Sequence, residues 1–157
     1  MIVIHNPQTW NDEQQSRAVH WMERMRLMNS RELGFVPLKA YREGIPRGRV
    51  LLAETAGVIA GFLLFTHTKT KGVKVMQIAV HPDYRRQHIG TSLMLALAER
   101  HADEVLTLWC RADLDANNFW KAMVMKVLAL NENNNKERIA LVRWGALCSS
   151  TYSASLS

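Results

Sequence analysis

VHPDYRRQHIGTSL, residues 80–93, joins an alternating apolar stretch to a helix-like one through a proline, two arginines and a glycine. A chain that passes from strand to helix leaves the first helical amides without intrahelical partners and sets the positive end of the helix dipole at the junction. Such a junction holds anions, phosphate above all. Arg85 and Arg86 add guanidinium charge that can fork onto phosphate oxygens. The stretch reads as an anion site, with an exposed basic turn as the plainer alternative.

Working upstream, RVLLAET (49–55), GVIAGFLLFTH (57–67) and GVKVMQIAV (72–80) are strand-like runs separated by short turns at Gly57 and Gly72. Three consecutive strands with short connections predict an antiparallel meander. Before them, residues 11–28 have helical spacing. Ala18, Trp21, Met22, Met25 and Met28 form one stripe, and Asn11 with Gln14 makes a capping box.

Downstream, helical spacing returns over 89–101, with Ile89, Leu93, Leu97 and Ala98 facing inward. VLTLWC (105–110) is a short apolar strand, and 116–123 is a short helix opened by Asp115. VMKVLALNENNNKERIALVRWG (124–145) reads as two strands joined by an asparagine-rich turn.

The chain has 157 residues, 48% hydrophobic, which suits one compact domain. Residues 1–147 are expected to form it, and 148–157, serine-rich, to be a poorly ordered tail. Residues 1–100 hold 14 basic against 8 acidic side chains and 101–157 hold 6 against 6, so the whole +6 excess lies in the first two thirds. That excess suits a polyanionic or phosphorylated partner, or a solvated surface. The tryptophans at 10, 21, 109, 120 and 144 sit mostly inside apolar patterns and read as core. Nucleic acid is therefore the less favoured partner.

Two cysteines, Cys110 and Cys148, make neither a disulfide framework nor a metal-ligand spacing. No HExxH, GxSxG or Walker phosphate motif occurs, and no apolar run reaches a membrane span. A cytoplasmic protein with no metal and no membrane association is expected.

The register around residue 88 resembles that of the GNAT N-acetyltransferases. Their pyrophosphate loop reads Q/R-x-x-G-x-G/A, commonly inside V-x-P-x-x-R-x-x-G-I-G-x-x-L. Val80, Pro82, Arg85, Ile89, Gly90 and Leu93 fall in place, and His88 occupies the first glycine position. The family also shows A-N-x-F-Y-x-x-x-G-F. Ala116, Asn117 and Phe119 match, while Trp120, Val124 and Met125 replace the tyrosine and the Gly-Phe pair.

The resemblance implies an α/β fold of the α+β type: a single domain with a mixed, mostly antiparallel, twisted sheet of six to seven strands and helices on both faces. It implies acetyl-CoA as co-substrate. The pantetheine arm would lie along Ile78, Ala79 and Val80, hydrogen-bonded to main chain. The pyrophosphate would meet Arg85, Arg86, Gln87, His88, Ile89, Gly90 and Thr91, and Asn117 would reach the cofactor from the second motif.

Glycine serves where backbone approaches a ligand or takes positive φ, and His88 tests both requirements. Histidine is among the residues that enter the left-handed region, so the loop need not collapse. Its imidazole can also donate to a phosphate oxygen.

The activity implied is direct transfer of the acetyl group to an amine acceptor, small molecule or protein. A neutral amine requires loss of a proton, since an ordinary lysine has a pKa of about 10.4. Glu54, Gln77 and His81 are base candidates. Tyr84 is an acid candidate, because the indole of Trp120 donates a hydrogen bond but is no acid at neutral pH. The catalytic residues stay unassigned at this level.

The alternatives are a catalytically impaired GNAT-like module that binds CoA or protein, and a GNAT enzyme acting on charged tRNA. A homodimer is left open. The acceptor would pass the loop over 28–48, which carries Arg42, Arg47 and Arg49.

Overall fold

A computed structural model describes residues 1–30, 33, 36–111, 116–123, 126–131 and 141–147. The chain forms two compact units, Met1–Thr66 with Gln77–Ala96, and His67–Met76 with Leu97–Ser157.

In the first unit the strands lie in the order β1 (Ile2–His5), β2 (Val50–Thr55), β3 (Val58–Thr68) and β4 (Gly72–Val80), the last two continuing into the second unit. β1 and β2 pair antiparallel from Ile2↔Thr55 to His5↔Leu52, and β2 and β3 from Val50↔Leu64 to Thr55↔Val58. The β2–β3 turn has two residues, Ala56 (φ 50°) and Gly57 (φ 76°). Both are left-handed, as a two-residue hairpin that matches strand twist requires.

α1 (Asp12–Met28) begins as the sequence predicts. The Asn11 side chain accepts from the Gln14 amide at 2.8 Å, and the Gln14 side chain accepts from the Asn11 amide at 3.1 Å. Its inward face comprises Ala18, Val19, Met22 and Met25. Trp21 is only partly buried and Met28 is 52% exposed, which corrects the expected stripe. A stripe tilted toward Val19 keeps the buried residues at i, i+1, i+4 and i+7, a standard helical face.

The region expected to be loop contains a second helix, α2 (Leu38–Gly44), whose Tyr41 is fully buried. The sequence reading also lacks β1. Four residues, IVIH, are too short for a pattern, and LKAYREG carries a glycine at its end and follows a proline.

Alternation along the strands sorts side chains to two faces. Val50, Leu52, Phe62, Leu64 and Ala79 pack against α1, Tyr41 and Ile45. On the other face Gly61 meets Ile89 and Leu93 of α3 (Ile89–Arg100). Helices thus cover both faces of this unit's sheet.

In the second unit β4 pairs parallel with β5 (Val105–Arg111) through Val73↔Leu106, Lys74↔Thr107 and Val75↔Leu108. β7 (Leu141–Leu147) pairs antiparallel with β5 and with β6 (Lys126–Asn131), giving the order β4-β5-β7-β6. The pairing given is thus antiparallel from β1 to β3 in the first unit and mixed, parallel and antiparallel, in the second. α4 (Ala116–Ala122) buries Trp120, and Met123 beyond its end is buried too. Asp115, the turn within 132–140 and the tail at 148–157 lie outside the described residues, as do the side chains of Trp109 and Trp144.

Candidate functional site

The end of β4 is fixed before the loop begins. The His81 amide donates to the Ala60 carbonyl at 2.7 Å, continuing the bonding between the ends of β3 and β4. Pro82–Tyr84 then make one 3-10 turn, capped by the His81 ring, whose Nδ1 accepts from the Asp83 amide at 3.1 Å.

Two left-handed residues follow, Arg86 and His88, each at φ 63°. The His88 carbonyl accepts both the amide and the hydroxyl of Ser92 at 2.9 Å, which closes the first bond of α3. Ile89 turns inward, buried beside Gly61. The amides from Arg86 to Thr91 carry no hydrogen bond among the described residues. Left-handed residues set into a turn aim successive amides into a concavity suited to anions. At a helix N-terminus the dipole reinforces it.

The position of His88 in the left-handed region meets the expectation that this site requires it. A side chain there costs about 1–2 kcal/mol, partly offset by the entropy glycine loses on folding. His88→Gly is expected to stabilise the chain by about 0.5–1 kcal/mol, measured by urea unfolding. Unchanged or lower stability would mean that the imidazole makes compensating contacts.

Side chains in the loop divide into two groups. Arg86, Gln87 and His88 are exposed, while Gly90 and Thr91 are half-buried. Arg85 differs from its neighbour. Its Nη2 donates to the Asn29 side-chain oxygen at the C-terminus of α1, and its Nε reaches the Val80 carbonyl at 3.5 Å. Although exposed like Arg86, it braces the loop against α1 and β4. In β4, Ala79 is buried and Ile78 and Val80 are half-buried, and all three lie beyond the parallel ladder at Val73–Val75.

The base candidates all have partners. Glu54 receives a hydrogen bond from His5 Nε2 at 2.9 Å. His81 spends Nδ1 as a cap, which leaves the proton on Nε2 and removes its lone pair as a ready base. Gln77 is buried and accepts from the Tyr41 hydroxyl at 2.5 Å. Burial pushes the Tyr41 phenol up to about 12, so it is a hydrogen-bond donor at neutral pH. Tyr84 packs edge-on against His81 with ring centroids 5.7 Å apart.

A surface pocket of about 180 Å³ lies against α1 and α2, lined by Gln15, Ser16, Val19, His20, Arg42 and Ile45. Of the other arginines expected near an acceptor, Arg47 pairs with Glu43 at 3.9 Å and Arg49 lies over the Phe65 ring at 5.8 Å.

The sequence profile of the Acetyltransferase (GNAT) family matches residues 9–123. The chain belongs to the GNAT acetyltransferase family. No curated protein matches its sequence. Among solved structures it resembles Ard1 from Thermoplasma volcanium, at 16% identity and TM-score 0.75 over 94% of this chain and 96% of that one. It also resembles yncA, an acetyltransferase from Salmonella typhimurium seen with its cofactor acetyl-CoA, at 15% identity and TM-score 0.72 over 94% of each. A third is Arabidopsis thaliana Naa50 in complex with the bisubstrate analogue CoA-Ac-MVNAL, at 17% identity and TM-score 0.69 over 92% and 97%. At these identities the likeness establishes the GNAT fold.

The second motif of this GNAT chain falls on α4, in the second unit. Trp120, in the slot where GNAT proteins often show tyrosine, is 4% exposed, and its Nε1 has no hydrogen-bond partner among the described residues. A buried donor without a partner is costly, about 1–3 kcal/mol. The Asn117 side chain lies outside the described residues.

Proposed function

We propose that the chain is an acetyl-CoA-dependent N-acetyltransferase that passes the acetyl group directly to an amine of a small molecule or protein. The observation that carries this reading is the loop itself: amides from Arg86 to Thr91 that have no partner among the described residues, left-handed backbone at Arg86 and His88, and the α3 N-terminus in one turn. Those amides would take the pyrophosphate, with the exposed Arg86 supplying countercharge and Gln87 and His88 within reach. Arg85 would act by holding the loop to Asn29 and Val80. The backbone of Ile78, Ala79 and Val80 would carry the pantetheine arm.

Acetyl-CoA supplies an activated thioester, so the protein need only place a neutral amine against it and ease the departing thiolate. Asn117 would add a contact to the cofactor. The indole Nε1–H of Trp120 can donate a hydrogen bond and is unsuited to give up its proton. The acceptor chemistry stays at the level of an amine. The analogue held by Naa50 joins CoA to a peptide, which favours protein N-termini among acceptors to be tried first.

Acetyl-CoA at about a hundredfold over its Kd is expected to stabilise the chain by about 2.7 kcal/mol, read as a rise in melting temperature that Arg86→Glu reduces. No shift at millimolar acetyl-CoA would overturn the reading. A second reading, a CoA-binding module without turnover, draws on Trp120 in the tyrosine slot. Binding without free CoA release across a panel of peptides and small amines would favour it.

A further inference from the structure

Away from the loop, in the second unit, three side chains converge from two places in the sequence. His67 stands near the end of β3, and His101 and Glu104 belong to the turn between α3 and β5. That turn is a hydrogen-bonded one: the His101 amide donates to Ala98 at 3.3 Å and the Glu104 amide to His101 at 2.9 Å. It brings two residues three apart onto one side of the chain.

Glu104 sits between the two rings. Its Oε1 lies 2.5 Å from His67 Nε2 and its Oε2 lies 2.6 Å from His101 Nδ1. The ring centroids are 4.8 Å apart. One nitrogen of each histidine and one oxygen of Glu104 all fall within 4.8 Å of one another. The side chains are 16–28% exposed, so solvent reaches the cluster without dispersing it.

We infer that His67, His101 and Glu104 form a site for a divalent transition-metal ion of the zinc class. Two imidazoles and one carboxylate are a donor set that suits zinc, cobalt, nickel and copper and does not suit magnesium or calcium. With bonds of about 2.0–2.2 Å, tetrahedral ligand atoms stand roughly 3.3 Å apart. The present spacings reach that sphere by shifts of about 1 Å in side chains that are partly open to solvent. Three protein ligands leave a fourth position to water.

The ion would replace the hydrogen bonds that now run between the rings and the carboxylate. No change of net protonation is needed when both imidazoles are neutral, since each can carry its proton on the other nitrogen. An ion there would tie the end of β3 to the turn that starts β5, within one unit. The site takes no part in the acetyl-transfer reading, so the two stand or fall separately.

The test uses the full chain without an affinity tag, treated with chelator and titrated with zinc sulfate by calorimetry, and with cobalt chloride by visible absorption. One ion per chain with dissociation constant in the micromolar range or tighter is expected. His67→Gln and His101→Gln should each weaken it on the order of 10- to 100-fold, whereas His5→Gln and His20→Gln should leave it unchanged. Should a variant fail to fold, the wild-type chain still decides. Zinc should protect His67 and His101 from acylation by diethyl pyrocarbonate ahead of the other four histidines, read by peptide mass spectrometry. No binding up to millimolar zinc, binding indifferent to both substitutions, or protection of other histidines first would overturn the inference and leave a hydrogen-bonded clasp.

Discussion

Phe62→Ala is expected to lower the stability of the chain by about 3–5 kcal/mol. The ring is fully buried in the middle of β3, edge-on to Tyr41 at 5.8 Å and to Trp21 at 6.1 Å between centroids. Truncation removes the transfer free energy of six ring atoms and two aromatic contacts worth about 0.5–1.5 kcal/mol each. Its neighbours belong to three elements, α1, α2 and β2, which cannot all close on one void. Domains of this kind hold about 5–15 kcal/mol in total, so one substitution consumes a large share. Urea unfolding with an unchanged slope and a lowered midpoint is the expected record. A loss below about 1 kcal/mol would mean that the core collapses onto the site, contrary to the close packing of interiors.

Gly61→Val is expected to cost about 3 kcal/mol, near the upper end for overpacking, and to weaken acetyl-CoA binding as well. A Cβ at Gly61 would stand 2.9 Å from the Ile89 Cγ2 and 3.0 Å from the Ala79 carbonyl oxygen, with Leu93 at 3.4 Å. A methyl group on α3 can yield a little, but the backbone carbonyl of β4 cannot yield without distorting the strand. Ile89 is the first residue of α3, and Ala79 precedes the loop by only a few residues. The side chain would therefore press on both flanks of the proposed pyrophosphate loop at once. Phe62→Ala, pointing to the opposite face, should lower stability without changing acetyl-CoA affinity under conditions where the chain stays folded. Equal loss of affinity in both variants would sever the link between Gly61 and the loop.

Much of the first unit was legible because its information is local. Asn11 and Gln14 stand three apart and cap each other, the apolar runs in 49–80 are punctuated by glycine turns, and Val80 to Leu93 carries a register that can be read residue by residue. The left-handed backbone at His88 was legible as a demand of the glycine slot, although the matching φ at Arg86 was not. An arginine in that region breaks the usual preference, and nothing in its neighbours announces it.

What pairs across distance stayed hidden. Asn29 and Arg85 are 56 positions apart, Tyr41 and Gln77 are 36 apart, and His5 and Glu54 are 49 apart. Each partner looks ordinary alone: an asparagine after a helix, a tyrosine in a loop, a histidine near the start. The convergence of His67 with His101 and Glu104 failed to register for the same reason, since metal-ligand motifs are recognised by short spacing. Met28 shows the opposite error. Its heptad-like place in the stripe suggested burial, yet it is the last residue of α1 and emerges past the sheet-facing side.

The pairing of β1 with β2 has a bearing on how the chain is made. Ile2–His5 is synthesised before its partner Leu52–Thr55, which lies about 50 residues later. At about 5–20 residues per second, roughly 2.5–10 seconds pass on the ribosome before that partner exists. Through that interval α1, capped by its own residues, can form from sequence at hand, while IVIH waits with its amides and apolar side chains unmatched. Local capping thus lets the helix form ahead of the outer strand, although that strand leaves the ribosome before the helix does.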